Sequence, residues 1–207
     1  KGLKFKKVWR TLFVITIAVP QFVSLLLMRN FLNDHGPLNG LLQTLHITNG
    51  PIPFLTDPLW AKFSIIFVNM WIGIPFTMLV ATGIIMNLPT EQIEAAEIDG
   101  ASKFQIFKSI TFPQILLIMA PSLIQQFIGN INNFNVIYFL TGGGPTNSEY
   151  YQAGSTDLLV TWLYKLTVSA KDYNLASVIG ILIFAISATF SLLAYTRSSS
   201  FKEGAAK

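Results

Sequence analysis

From Leu175 to Tyr195 the chain carries no charged side chain, and most of its residues are aliphatic, aromatic or small. A bilayer span needs about 20 such residues. A run like this dictates the class of the whole protein. Inside hydrocarbon every backbone N–H and C=O must be paired within its own segment, so the run has to be a helix. Other stretches repeat the pattern, with the charges gathered between them. Of the 207 residues 52% are hydrophobic and only 12% charged, where a soluble domain carries about 25% charged. The fold class that follows is an all-α membrane protein, a polytopic helical bundle. There is no cysteine, hence no disulfide framework and no thiol metal site. The net charge of +4 sits mostly in loops that flank apolar runs, which argues membrane topology rather than nucleic acid.

Four spans are expected, at about 8–31, 59–86, 112–140 and 174–195. Lys1, Lys4, Lys6, Lys7 and Arg10 precede the first, and a basic cluster at the start of a span marks the cytoplasmic side. Pro20 falls inside that run and predicts a kink. The stretch Asn33 to Pro58 is rich in Gly, Pro, Asn and Asp and reads as a loop too broken for a helix. His35 and His46 lie in it without partners at ligand spacing. Trp60 anchors the second span at an interface. Pro113 opens the third, Pro121 bends it and Gly142-Gly143-Gly144-Pro145 ends it. No Gly-Lys-Ser/Thr follows that glycine run, so it is not a phosphate loop. An amphipathic helix is expected over 155–168 on the outer surface, capped by Ser155, with Leu158, Leu159, Trp162 and Leu166 on one face. With both ends inside, Lys or Arg at 1, 4, 6, 7, 10, 103, 108, 197, 202 and 207 fall on the cytoplasmic side, against Arg29, Lys62, Lys165 and Lys171 outside. That bias agrees with the positive-inside rule. The chain is then a multi-pass membrane protein with both ends of this portion cytoplasmic.

Between the second and third spans lies the one long amphipathic segment, 90–111. Thr90 is a good N-cap, and Glu91 and Glu94 stand in the first turn, where carboxylates offset the helix dipole. Asp99-Gly100 stops the helix, because glycine accepts the left-handed conformation that a helix end commonly needs. A second short helix follows, with Phe104, Phe107 and Thr111 on one side. Two short helices joined at a glycine make a compact elbow. Small Ala95 and Ala96 let another backbone approach.

The spans hold no Asp or Glu, so a proton- or sodium-driven relay has nothing to work with. No nucleotide motif, metal cluster or catalytic constellation is visible. The spans do hold amides, which need partners or water in hydrocarbon. Gln126, Asn130 and Asn133 share one helix face at i, i+4, i+7. Asn69, Ile72, Gly73 and Phe76 share another; Ile17, Gln21, Ser24 and Met28 a third. Two readings stay open for these faces. They line one cavity for a hydroxyl-rich ligand, with Phe76 stacking on a sugar's apolar face and Gly73 leaving room. Alternatively they hydrogen-bond between helices.

The elbow resembles the EAA loop of permease subunits of ABC importers, whose pattern is Glu-Ala-Ala, three residues, Gly, nine residues, then Ile-x-Leu-Pro. Glu94, Ala95, Ala96, Gly100, Ile110 and Pro113 match it; Phe112 replaces the usual Leu. The resemblance implies a type I ABC importer (MetI-like) transmembrane domain with a cytoplasmic coupling helix. Glu94, Ala95, Ala96, Asp99, Gly100, Ala101, Phe104, Phe107, Ile110 and Pro113 would then contact the ATPase. Further segments look like the maltose/maltodextrin permease branch, MalF type: Ala18-Val19-Pro20, Asn69 to Pro75, Asn132-Asn133-Phe134, Gly142 to Pro145 and Ser155 to Val160. That branch implies a sugar held midway through the membrane by Ile17, Gln21, Asn69, Ile72, Gly73, Phe76, Gln126, Asn130 and Asn133. Ile17, Gln21, Phe76 and Gln126 depart from the branch's Tyr, Ser, Tyr and Ser. The implied partners are an ATP-binding cassette ATPase dimer, a second related permease, an extracytoplasmic sugar-binding protein, the oligosaccharide and membrane lipid. No cofactor and no enzyme activity of its own is implied. Family members carry further spans upstream, so this chain is expected to be the C-terminal portion of a permease. The alternatives are the same machine for raffinose-type sugars or glycerol phosphate, or a channel or scaffold with no ATPase.

Overall fold

The structure is a computed structural model that describes residues 8, 11, 12, 15 and 17–197. The amino-terminal basic cluster and Lys202 and Lys207 lie outside the described residues. Among those described, helices alternate with short loops, and the one pair of bridged backbone segments is Thr146 against Gly154. The chain divides into two compact units. One comprises the residues up to Pro75 together with Gly129–Ser187; the other comprises Phe76–Ile128 and the residues from Ala188.

In the first unit, α1 spans Gln21–Phe31. Pro20, expected to kink a continuous helix, starts one instead. It stands at the N-cap with φ −54° and ψ 132°, and its carbonyl accepts from Val23 N and Ser24 N. A proline has no N–H to continue a helix but is at home where one begins. The next segment also corrects the reading of 33–58 as helix-free. Pro37–Thr44 forms α2, with Pro at its first position. The amide of Asn39 decides this. It is 1% exposed, donates to Asn33 O and Ile52 O, and accepts from Ile52 N at 2.8 Å. One buried side chain thus ties both ends of the loop to the helix.

Helix α3 is Pro58–Met86. Asp57 caps it, its carboxylate accepting from Leu59 N and Trp60 N, and Pro58 fills the first turn where no donor is needed. At 1.5 Å per residue its 29 residues reach about 43 Å, more than the roughly 30 Å of hydrocarbon. Among the described residues three helices are long and apolar enough to cross: Pro58–Met86, Lys103–Ile131 and Tyr173–Thr196. The core of the first unit gathers Leu25, Leu32, Val68, Val136 and Leu140, with Ile72 and Phe139 packed on it. A smaller cluster joins Leu166, Ala176 and Ile179.

The expected third span, 112–140, is not one helix. Its long part begins earlier, runs as α6 over Phe112–Ile131, and stops at Asn132-Asn133. Then α7, Phe134–Leu140, starts afresh with Asn133 as its cap, the side-chain oxygen accepting from Val136 N at 3.2 Å. An asparagine that can bond its own backbone competes with the helix ladder, and here it wins. The outer helix is shorter than expected. As α8 it covers Leu159–Lys165 and widens into a π-turn over Leu166–Ala170. Ser155 does not cap it: its N–H bonds Pro145 O, while Thr161 Oγ1 reaches back to Leu158 N. Helix α9 is Tyr173–Arg197.

Candidate functional site

The elbow lies in the second unit. Its first arm, α4, is Glu91–Ile98. Thr90 occupies the N-cap position, but its side chain makes no capping bond; the backbone carbonyl alone accepts from Ile93 N and Glu94 N. The stop at Gly100 forms as expected. Gly100 adopts φ +79°, Gly100 N donates to Glu97 O at 3.1 Å and Ala101 N to Ala96 O at 3.0 Å. This pair of bonds is the Schellman closure. Ser102 and Gln105 then start the second arm, α5 (Lys103–Ile106), with reciprocal capping bonds of 2.8 and 3.4 Å.

That arm is not a separate helix. It widens at Phe107–Thr111 into a π-turn, Phe112 N donating to Phe107 O, and passes directly into α6. Pro113 supplies the reason: it lacks a donor and its ring crowds the carbonyl four residues back. Gln114 Nε2 donates to Gln92 Oε1 at 2.5 Å and ties the two arms together. The corner is therefore stiff, yet its surface is bare. No residue of α4 is buried; Ile98 is 86% and Phe104 71% exposed. Glu94, Ala95, Asp99, Phe107 and Pro113 are exposed, Ala96, Ala101 and Ile110 half-buried, and Ile106 alone turns inward.

The amides of the first unit bond one another. Asn133 Nδ2 donates to Asn69 Oδ1 at 3.0 Å, and Asn69 Nδ2 donates to Asn130 Oδ1 at 2.8 Å. Gln21 Oε1 accepts from Asn135 Nδ2 at 3.3 Å, and Asn132 donates to Ser187 Oγ at 3.0 Å. The structure thus brings together Asn69, Asn130 and Asn133 from two helices and the break between α6 and α7. A Cβ added to Gly73 would meet nothing within 4 Å, so open space flanks it. Ile17 is exposed, while Ile72 packs on the core and is committed there. Phe76 and Gln126 belong to the second unit, where Gln126 Oε1 accepts from Thr77 Oγ1 at 3.0 Å and Phe76 is exposed.

A third cluster escaped the sequence. In the first unit Lys165 Nζ lies 2.6 Å from Asp157 Oδ2, and the Asp157 side chain is only 2% exposed. The same oxygen accepts from Gly154 N at 2.7 Å. Gly143, at φ +81°, lies directly beneath: any Cβ there would strike the Asp157 carboxylate and Lys165 Nζ. Thr141 and Thr156 pair their hydroxyls at 2.9 Å. The signal available beforehand was three glycines in a row ahead of a Ser-Thr-Asp; what needed the close approach was invisible. On α8, the Tyr164 phenol is pushed above its ordinary range by the hydrogen bond to Tyr138, then by Tyr138's charge and by burial. It stays a neutral hydroxyl at physiological pH.

Membrane-length helices, two of them joined by an amide cluster, mark a membrane component. The match to the family of binding-protein-dependent transport system inner membrane components covers residues 1–200, and the chain belongs to that family. It is 41% identical, over 99% of its length, to the galactooligosaccharides transport system permease protein GanP of Bacillus subtilis, covering 49% of that protein. It is 37% identical, over 96% of its length, to the maltodextrin transport system permease protein MalC of Streptococcus pneumoniae, covering 47% of it. The chain thus spans about half the length of these curated relatives. The crystal structure of a bacterial alginate ABC transporter, in complex with an alginate pentasaccharide-bound periplasmic protein, superimposes with a TM-score of 0.80 at 25% identity, over 95% of this chain and 67% of that one.

Proposed function

We propose that this chain is the translocating portion of a permease subunit of an ATP-driven importer for neutral oligosaccharides of the maltodextrin type. One observation carries the reading: an elbow locked by a Schellman closure, a capping box and the Gln92–Gln114 bond, yet with Ile98 and Phe104 uncovered. A stiff corner transmits displacement, and bare apolar side chains need a partner surface. That partner is an ATP-binding cassette ATPase dimer, gripping Glu94, Ala95, Ala96, Asp99, Gly100, Ala101, Phe104, Phe107, Ile110 and Pro113. ATP hydrolysis belongs to it and not to this chain. A second related permease completes the path, and an extracytoplasmic binding protein delivers the sugar. The protein sits in the bacterial plasma membrane, with Pro58–Met86, Lys103–Ile131 and Tyr173–Thr196 among its spans and both ends of this portion in the cytoplasm.

The nucleotide state biases the spans between inward and outward openings only through contacts that differ between them. In the first unit the sugar is held by Ile17, Gln21, Asn69, Gly73, Asn130 and Asn133, with Ile72 shaping the wall. Amides offer donors and acceptors together, which suits hydroxyls. Before the sugar arrives, Asn69, Asn130 and Asn133 satisfy one another; sugar hydroxyls replace those bonds. None of these positions is Lys or Arg, which argues against glycerol phosphate. The similarity to GanP favours a second reading, a galacto-oligosaccharide as cargo. Uptake of labelled maltotriose competed by galacto-oligosaccharide separates the two.

The coupling test is Gly100→Pro in the full-length permease. Proline cannot adopt φ +79°, so the closure is lost and uptake falls to background while membrane insertion persists. Normal uptake by this variant would exclude the elbow as the coupling point.

A further inference from the structure

The loop between α7 and α8 borders an open recess in the first unit, of about 340 Å³. Small-molecule pockets run from roughly 300 Å³ upward, so it takes the end of an oligosaccharide and not its length. Tyr150 and Tyr151, both more than half exposed, line it together with Thr146, Asn147, Gln152 and Lys165. The side chains of Thr146, Tyr150, Tyr151 and Gln152 have no hydrogen-bond partner among the described residues. The loop beneath them is firmly held. Trp162 Nε1 donates to Tyr151 O at 2.7 Å, Ser155 N to Pro145 O at 2.8 Å, and Thr146 bridges Gly154. Gln152 is held at φ +58°, a conformation a non-glycine residue keeps only when its surroundings impose it.

We infer that this recess is a sugar-binding subsite that receives one end of a neutral oligosaccharide on the extracytoplasmic side, resting on the importer reading above. Tyrosines, with only two side-chain torsions to fix, offer faces for the apolar side of a pyranose ring at small entropic cost. Lys165 offers N–H donors fixed in place by Asp157, and charge-assisted bonds are the stronger kind. The class of ligand follows from the charge. Asp157, 2% exposed and 2.6 Å from Nζ, already compensates the lysine, and Glu149 stands in the same loop. An anionic sugar would meet no uncompensated positive charge; hydroxyls lose nothing by that.

The test uses the full-length permease in its assembled importer, carrying Tyr150→Ala and Tyr151→Ala. Both residues are exposed, and the Trp162 bond goes to backbone, which alanine retains. Uptake of maltose and of maltoheptaose is measured in proteoliposomes. The KM for maltoheptaose is expected to rise about tenfold with kcat unchanged, the worth of roughly one stacking contact, while maltose is unaffected. In parallel, Trp162 fluorescence of the detergent-purified protein is titrated with maltoheptaose, with Trp162→Phe as the control. A saturable change lost in the double variant supports the subsite. No change in the wild type overturns it. An equal loss for both sugars, with weakened docking of the sugar-free binding protein, also overturns it and makes the loop a protein-docking surface. Fluorescence binding without any uptake leaves the subsite standing and removes the importer reading instead.

Discussion

The elbow at 90–111 and the loop at 141–158 are both rigid, but for opposite reasons. The loop closes on itself at its centre: Asp157 Oδ2, Lys165, the hydroxyls of Thr141 and Thr156 and several backbone donors find partners within some twenty-five residues. The elbow is stiffened only along its backbone and at its caps, and it leaves its apolar side chains outside. A region that satisfies itself is spending its interactions on its own shape. A region held in shape with its side chains bare presents that shape to something else. Mutations should therefore cost stability at the loop's Asp157–Lys165 centre and function in the elbow.

The largest stability effect is expected from Lys165→Met. It strands the buried Asp157 carboxylate and should cost about 3–5 kcal/mol, read as a lowered unfolding midpoint of the purified permease. An unchanged midpoint would mean that the pair does not hold the loop. Next comes Asn69→Ala, which removes two amide bonds between helices. At about 0.6 kcal/mol per contact it should cost about 1 kcal/mol, and sugar affinity should fall at the same time. Loss of stability without loss of affinity would leave the amides as interhelical ties alone. Ser102→Ala removes one half of the capping box. With its Gln105 N contact at 3.4 Å, the low end of the capping range applies, about 0.5 kcal/mol, and hydrogen exchange should quicken at residues 102–106 only. Smallest in stability is Phe104→Ala, below about 0.5 kcal/mol for an exposed site. Its effect belongs in transport: uptake should drop tenfold or more with folding intact. If Phe104→Ala destabilises as much as Lys165→Met, the contrast between the two regions collapses.

Much of this was readable from short-range pattern. The membrane class follows from uncharged runs, and the elbow's stop at Asp99-Gly100 follows from what glycine alone tolerates. Failures came where a residue's partner was remote or its behaviour ambiguous. Pro20 reads equally as a kink and as a helix start, and the backbone chose the start. Asn39 looked like one more loop-former until its amide was seen bonding Ile52, thirteen residues away. The 112–140 run is apolar enough for one helix, and hydropathy is silent about Asn133 capping a new one.

Sequence alone determined what depends on neighbours along the chain: the uncharged runs that form membrane-length helices, the glycine corner and the charge of the flanking segments. Tertiary structure alone decided which amides meet, since Asn69 lies 61 and 64 residues from its two partners. It also decided that Asp157 is buried over Gly143. Both outcomes turn on desolvation, because a polar group withdrawn from water accepts whichever partner the fold brings within reach, and local pattern carries no record of that distance.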